Sequence, residues 1–138
     1  MTALGGIRNR GLKGRPMAKL LVVDDDRNQG QLYKIDLEDD GHEVTLAASG
    51  PEGLESLKKS RPDLIVLDIS MPGMDGIETL GKILAQDRTL PVILNTAYSN
   101  YKNNFMTWSA DGYVVKSGDT TELKNKIREV LKARGIVS

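Results

Sequence analysis

Five short runs, each separated from the next by a stretch of helical spacing or a long loop, limit what this chain can fold into. They are Lys19–Val23, Glu43–Ala47, Leu64–Asp68, Pro91–Asn95 and Gly112–Lys116. Each is too short for a core helix, and most are rich in branched apolar residues bounded by turn formers, the pattern of buried strands. The first helix is expected from about Arg27 to Asp40, with Leu32, Tyr33, Ile35 and Leu37 available for burial and Gly41 as its stop. Ser49 opens the second as N-cap, and Glu52 completes a capping box. Leu54 and Leu57 then face inward until Arg61-Pro62 ends it. A third follows Gly76, with Ile77, Leu80 and Leu84 on one face. The last starts at an Asp119 cap, with Glu122 in its first turn, and buries Leu123, Ile127, Val130 and Leu131. Between the fourth and fifth strands, Asn100 to Ser109 is a poor helix former because of Asn100, Asn103 and Asn104. Its Tyr101, Phe105, Met106 and Trp108 read first as core packing, and the same stretch is where partner contacts are expected.

This β-α alternation predicts an α/β domain, a doubly wound five-stranded parallel sheet with helices on both faces. Right-handed crossovers and the strand order 2-1-3-4-5 place a switch point between the first and third strands. The carboxyl ends of those strands carry Asp24, Asp25 and Asp68, so the topology brings three acids together.

A chain of 138 residues fits one such domain with a real core. Formal charge is zero overall, which gives no general attraction to nucleic acid or membrane. The charge is unevenly spread, because Arg8, Arg10, Lys13, Arg15 and Lys19 have no acid among them. Residues 1–18, glycine-rich and without periodicity, are expected to be a flexible basic tail ahead of a domain spanning 19–138. Met17, just before the first strand, is a second candidate start of translation. With no cysteine, disulfides and thiolate metal sites are excluded. No apolar run approaches the roughly 18 residues of a membrane span, and the N-terminus lacks a signal-peptide core, so a cytoplasmic protein without a membrane anchor is expected.

Three carboxylates within a few ångströms repel one another unless a cation intervenes. An oxygen-only donor set with room for water suits Mg²⁺, and no histidine or cysteine nearby argues for zinc. The one histidine, His42, lies before the second strand and reads as structural. Thr96 follows the fourth strand and Lys116 ends the fifth, both on the rim that carries the acids. Either alone has an ordinary explanation, a helix cap or a solvated strand end. Together with the acids they supply a cation, an ammonium, a hydroxyl and one carboxylate free to attack. A carboxylate nucleophile that becomes an acyl phosphate needs that set.

In these motifs the chain resembles a receiver domain of a two-component response regulator, of the stand-alone chemotaxis-regulator-like type. The matching pieces are Leu20-Leu21-Val22-Val23-Asp24-Asp25-Asp26, Asp63 to Gly76, Pro91 to Ala97 and Ala110 to Lys116, within a likeness covering about Lys19 to Arg134. The resemblance implies a flavodoxin-like fold and roles for matching positions. Asp68 corresponds to the phosphoryl acceptor, and Asp24 and Asp25 to the Mg²⁺-binding pair, with Asp68 and the backbone carbonyl of Ser70 as further ligands. Lys116 corresponds to the lysine that pairs with the phosphoryl group, Thr96 to the hydroxyl residue that shifts toward it, and Tyr113 to the aromatic that changes rotamer with it. Ser117 stands where the family usually has proline, and a trans bond or altered loop is expected there, since a cis bond before serine costs about 2.5–4 kcal/mol. Ser109 replaces a common glycine, and Tyr98 occupies a position that gates attacking water, where a bulky ring would slow hydrolysis.

The expected function is a phosphorylation-activated signalling switch or phosphorelay intermediate. It would accept a phosphoryl group on Asp68, with Mg²⁺, from a sensor histidine kinase or a histidine phosphotransfer protein. It would catalyse its own phosphoryl transfer and dephosphorylation and is not expected to be an independent enzyme. With the chain ending just after the last helix, no DNA-binding domain is expected. Output would come through an unknown downstream protein target, with the protein a monomer or a weak phosphorylation-dependent dimer. The alternative is a receiver-like interaction module independent of phosphorylation, against which the intact Asp24, Asp25, Asp68, Thr96 and Lys116 argue. A metal-dependent phosphohydrolase of haloacid-dehalogenase-like pattern would need an acid where this chain has Ser70.

Overall fold

The computed structural model describes residues 17–69, 76–97 and 109–137. The expectations for the tail, Ser70, Tyr98 and the aromatic stretch Tyr101 to Trp108 fall outside those residues. Five strands, β1 (Lys19–Val23), β2 (Glu43–Ala47), β3 (Leu64–Leu67), β4 (Val92–Thr96) and β5 (Gly112–Val115), form one sheet in the order β2-β1-β3-β4-β5. All neighbours are parallel, with Val23 opposite both Ala47 and Leu67, Leu67 opposite Leu94, and Thr96 opposite Val115. This is the doubly wound order expected from the sequence.

The helices are α1 (Arg27–Asp39), α2 (Gly50–Lys59), α3 (Gly76–Gln86) and α4 (Thr121–Ala133). Strand alternation divides the core in two. Leu20, Val22, Leu64, Val66, Ile93 and Val114 pack with Tyr33 and Leu37 of α1 and Leu123, Ile127 and Leu131 of α4. The other face, with Leu21, Val23, Ile65, Leu67, Val92 and Leu94, packs with Leu57 of α2 and Leu80 and Ile83 of α3. β3 and β4 are buried along their whole length, because helices cover both faces and strands flank both edges.

Local chemistry sets the helix ends. Asp26 caps α1 by accepting the Gln29 N–H at 3.1 Å, and Ser49 caps α2 by accepting that of Glu52 at 3.2 Å. The Glu52 carboxylate reaches back to the Ala48 N–H, so the capping box extends one residue further than its usual span. Gly41, at φ 98°, ends the run after α1 in a conformation open mainly to glycine.

Two helix expectations need correction. Leu32 and Ile35 are not core residues: they stand 59% and 61% exposed, because Tyr33 and Leu37 take the inward face of α1. On α3, Ile77 and Leu84 pack half-buried against the core that holds Leu80, as their helical spacing implies, with Ile83 buried beside them. The last helix begins one residue later than an Asp119 cap implies. Thr120 occupies the cap position without a capping side-chain bond, while the Asp119 carboxylate accepts the Thr121 N–H at 2.9 Å and its hydroxyl at 2.6 Å. The strand bounds also move by one residue at β3, β4 and β5, leaving Asp68 just beyond its strand and Thr96 within its own.

Candidate functional site

The carboxyl rim of the sheet is built by backbone hydrogen bonds that continue past the strands. Asp24 N–H donates to Ala47 C=O at 3.0 Å, and Asp68 N–H to Val23 C=O at 3.0 Å. The two acids are therefore placed by the sheet, and each is 5% exposed. The three consecutive acids divide into three roles. Asp24 turns inward, Asp25 stays exposed, and Asp26 caps α1. Asp24 Oδ1 also accepts the Asp26 N–H at 2.9 Å, which fixes the turn between β1 and α1.

Lys116 enters from β5. Its N–H donates to Thr96 C=O at 2.7 Å, and its ammonium reaches Asp24 Oδ2 at 2.8 Å and Asp68 Oδ2 at 3.1 Å. Burial works against its charge, but the hydrogen bond to Asp24 and the charges of Asp68 and Asp24 outweigh it, so its pKa is held above the ordinary value. Thr96, fully buried at the end of β4, completes the rim, and Tyr113 of β5 is half-buried against the α2–α3 side of the core.

Carboxylate oxygens of Asp24, Asp25 and Asp68 lie within 4.8 Å of one another. Oxygens in an octahedral shell of about 2.1 Å radius are about 3–4 Å apart, so a small closure around a hard divalent cation fits this set, with Asp25 exposed on its solvent side. The ligand role of the Ser70 carbonyl lies outside the described residues.

Two features hold the rim close. Gly76, opening α3, donates its N–H to Ile69 C=O at 3.3 Å, and a Cβ there would meet Ile69 Cα at 2.0 Å and Asp68 O at 2.7 Å. Only glycine lets α3 start against the Asp68–Ile69 backbone. Beyond Lys116, the bond to Ser117 is trans. The Ser117 hydroxyl accepts the Asp119 N–H at 3.2 Å and donates to Asp119 C=O at 2.8 Å. A serine hydroxyl thus closes the loop that a proline ring would otherwise stiffen.

Tyr33, expected to be available for burial, is buried, and with the buried Asn95 of β4, which the sequence reading passed over, it lines a small cavity. His42 is buried, with its Nδ1 lacking a hydrogen-bond partner, and burial lowers its pKa. It faces Asp40 and Arg128 rather than the rim, in keeping with a structural reading.

Residues 20–128 match the response regulator receiver domain. The chain belongs to the receiver domain family. Among relatives of this receiver, the transcriptional regulatory protein AfsQ1 of Streptomyces coelicolor is 41% identical over 118 residues, 84% of this chain and 52% of that protein. The chain spans about half the length of the curated relatives it matches. Among solved structures, the response regulator TrrA of Thermotoga maritima in complex with Mg²⁺-BeF superposes with a TM-score of 0.79 at 42% identity, covering 82% of this chain and 98% of that one. TrrA in complex with histidine kinase ThkA superposes at 0.77, again 42% identical, over 82% of this chain and 97% of that one. Among the described residues, no helix of this receiver is long and apolar enough to cross a membrane.

Proposed function

We propose that this receiver is a phosphorylation-activated signalling switch or relay intermediate, with Asp68 as acceptor of a phosphoryl group from a phosphohistidine. The observation that carries this is the rim's charge arrangement, in which two buried carboxylates share the Lys116 ammonium and a third, exposed one lies within 4.8 Å of them. Mg²⁺ held by Asp24, Asp25, Asp68 and the Ser70 carbonyl would supply charge neutralisation on the phosphoryl oxygens.

The chain's own residues do the rest. A carboxylate oxygen of Asp68 attacks phosphorus in line, the new O–P bond forms as the N–P bond to the donor imidazole breaks, and the imidazole keeps the electron pair and is protonated by solvent. Lys116 turns its ammonium from the Asp24 and Asp68 oxygens toward the transferred group and offsets charge as it arrives. Thr96 offers a hydroxyl to the same oxygens. Phosphorylation adds about −1.5 to −2 charges and strong acceptors, and drawing Thr96 toward them opens space that the Tyr113 ring can enter. Swinging such a surface from mostly off to mostly on takes about 5.5 kcal/mol of differential stabilisation.

Exposed Leu32 and Ile35, on the helix that starts directly beyond the acids, give a donor protein apolar surface beside the site. TrrA, solved both with Mg²⁺-BeF and with a histidine kinase, supports the reading. The test is incubation with a small phosphodonor and Mg²⁺, followed by mass spectrometry. Wild type is expected to gain one phosphoryl group and Asp68→Asn none; uptake surviving that substitution would remove Asp68 from its role.

A further inference from the structure

A hollow of about 250 Å³ lies between the first turns of α1 and the end of β2. Asp24 borders it, but neither Asp25 nor Asp68 does, so it is a space apart from the phosphoryl site. Val22, Leu46 and Ala47 give it an apolar lining, while Arg27 and Gln31 stand one turn apart on its α1 side. Gly30 leaves this space open. Glycine is among the costliest residues inside a helix, so its place in α1 calls for a reason. Close packing does not supply one. Gly30 is buried in ordinary helix, yet a Cβ there would meet nothing nearer than the Leu46 methyls at 3.8 Å, an ordinary contact. An alanine would fit and would strengthen the helix. What it would take away is part of the hollow, which Gly30 and Leu46 line together.

The acids that border the hollow are already engaged. Asp24 accepts the Asp26 N–H through Oδ1 and the Lys116 ammonium through Oδ2, and the Glu52 carboxylate takes the Ala48 N–H. Among the described residues, the Arg27 guanidinium and the Gln31 carboxamide have no such partner. The walls therefore still offer a guanidinium, whose planar fork matches a carboxylate, together with a carboxamide and apolar surface. The volume equals that of about eight water molecules at ~30 Å³ each. It lies below the range of pockets for drug-sized ligands and suits a smaller molecule.

We propose that this hollow is a binding site for a small organic anion with a short apolar body. Its carboxylate is held by Arg27 and Gln31, and its chain lies against Val22, Leu46 and Ala47. Gly30 is the residue that makes room for it. The site is separate from phosphoryl acceptance and requires neither Asp68 nor Mg²⁺.

The test titrates the full chain with hexanoate, and separately with hexylamine, which puts the opposite charge on the same length of chain. Binding is followed by NMR at the Gly30, Ala47 and Ala48 amides and at the Arg27 Nε–H. Hexanoate is expected to give saturable shifts at these groups, and hexylamine none. Arg27→Gln is expected to weaken hexanoate about tenfold, the scale of a lost charge-assisted hydrogen bond. Gly30→Ala is expected to unfold at higher urea than wild type while binding hexanoate several-fold more weakly, and Gly30→Leu to lose binding altogether. Hexanoate shifts that are absent or fall elsewhere on the chain would overturn the proposal. So would hexylamine binding as well as hexanoate, or wild-type hexanoate affinity in either Arg27→Gln or Gly30→Ala. If Gly30→Leu does not fold, those two milder variants decide. Hexanoate affinity is expected to be unchanged in Asp68→Asn, so a failure of phosphoryl uptake and a failure of this site are read separately.

Discussion

The two rims of the sheet carry similar residues and use them differently. At the amino rim Asp63, Asp87 and Asp111 each have their own partner. Arg134 holds Asp111 Oδ2 through Nε at 3.2 Å and Nη2 at 2.6 Å, and its Nη1 donates to Thr89 C=O at 2.7 Å. Asp111 Oδ1 accepts the Val92 N–H at 3.1 Å. Asp87 takes Arg61 Nε at 2.6 Å and both the hydroxyl and the N–H of Thr89, and Asp63 Oδ2 accepts the Lys19 N–H at 2.8 Å. At the carboxyl rim the buried Asp24 and Asp68 share one ammonium, and the exposed Asp25 lies beside them. A rim whose charges are matched is finished as a structure. A rim left short of positive charge can still take up a cation, and then a group that the cation brings.

The largest way to break this contrast is Lys116→Ala. Removing it strands two buried carboxylates, and a loss of about 3 kcal/mol in metal-free stability is expected, measured by urea unfolding. Added Mg²⁺ should restore part of that loss, which it would not do for a defect at the amino rim. Phosphoryl uptake should fall sharply whether or not stability returns.

Arg134→Ala is the matched substitution opposite. Its side chain is partly exposed, so about 1 kcal/mol of stability should go, while phosphoryl uptake and Mg²⁺ affinity keep their wild-type values. A change in uptake would mean that the two rims are mechanically linked and the contrast false.

The smallest effect concerns acid. Hydrogen bonds from Thr89, then Arg61, hold the Asp87 carboxyl down from its ordinary 3.8 to about 2. Being depressed, it contributes stability at every pH above the ordinary carboxylate range, and that contribution drains away as pH falls through its folded value. Arg61→Ala should therefore flatten the stability profile between about pH 4 and 2, read by thermal unfolding across that window, and leave the profile near neutrality almost unchanged.

Most of the sheet was legible from alternation and run length, because a strand buried on both faces has few polar residues to confuse the reading. The order 2-1-3-4-5 followed from handed connections. Helix faces were less legible. On α1, Leu32 and Ile35 look as apolar as Leu37, and only the packing of Tyr33 and Leu37 against the sheet decides that they point outward. Cap positions were readable where a side chain bonds its own helix start, as at Ser49, and misread at Asp119, where the carboxylate bonds Thr121 from one residue further back.

What the sequence determined by itself was the fold and the residue types of the rim, since β-α alternation and strand-end acids are local patterns that survive without coordinates. Tertiary structure decided how those residues divide the work. It made Asp26 a cap and Asp24 a partner of Lys116, and closed the Lys116 loop on the Ser117 hydroxyl. Those choices depend on distances across the sheet, which no local pattern carries.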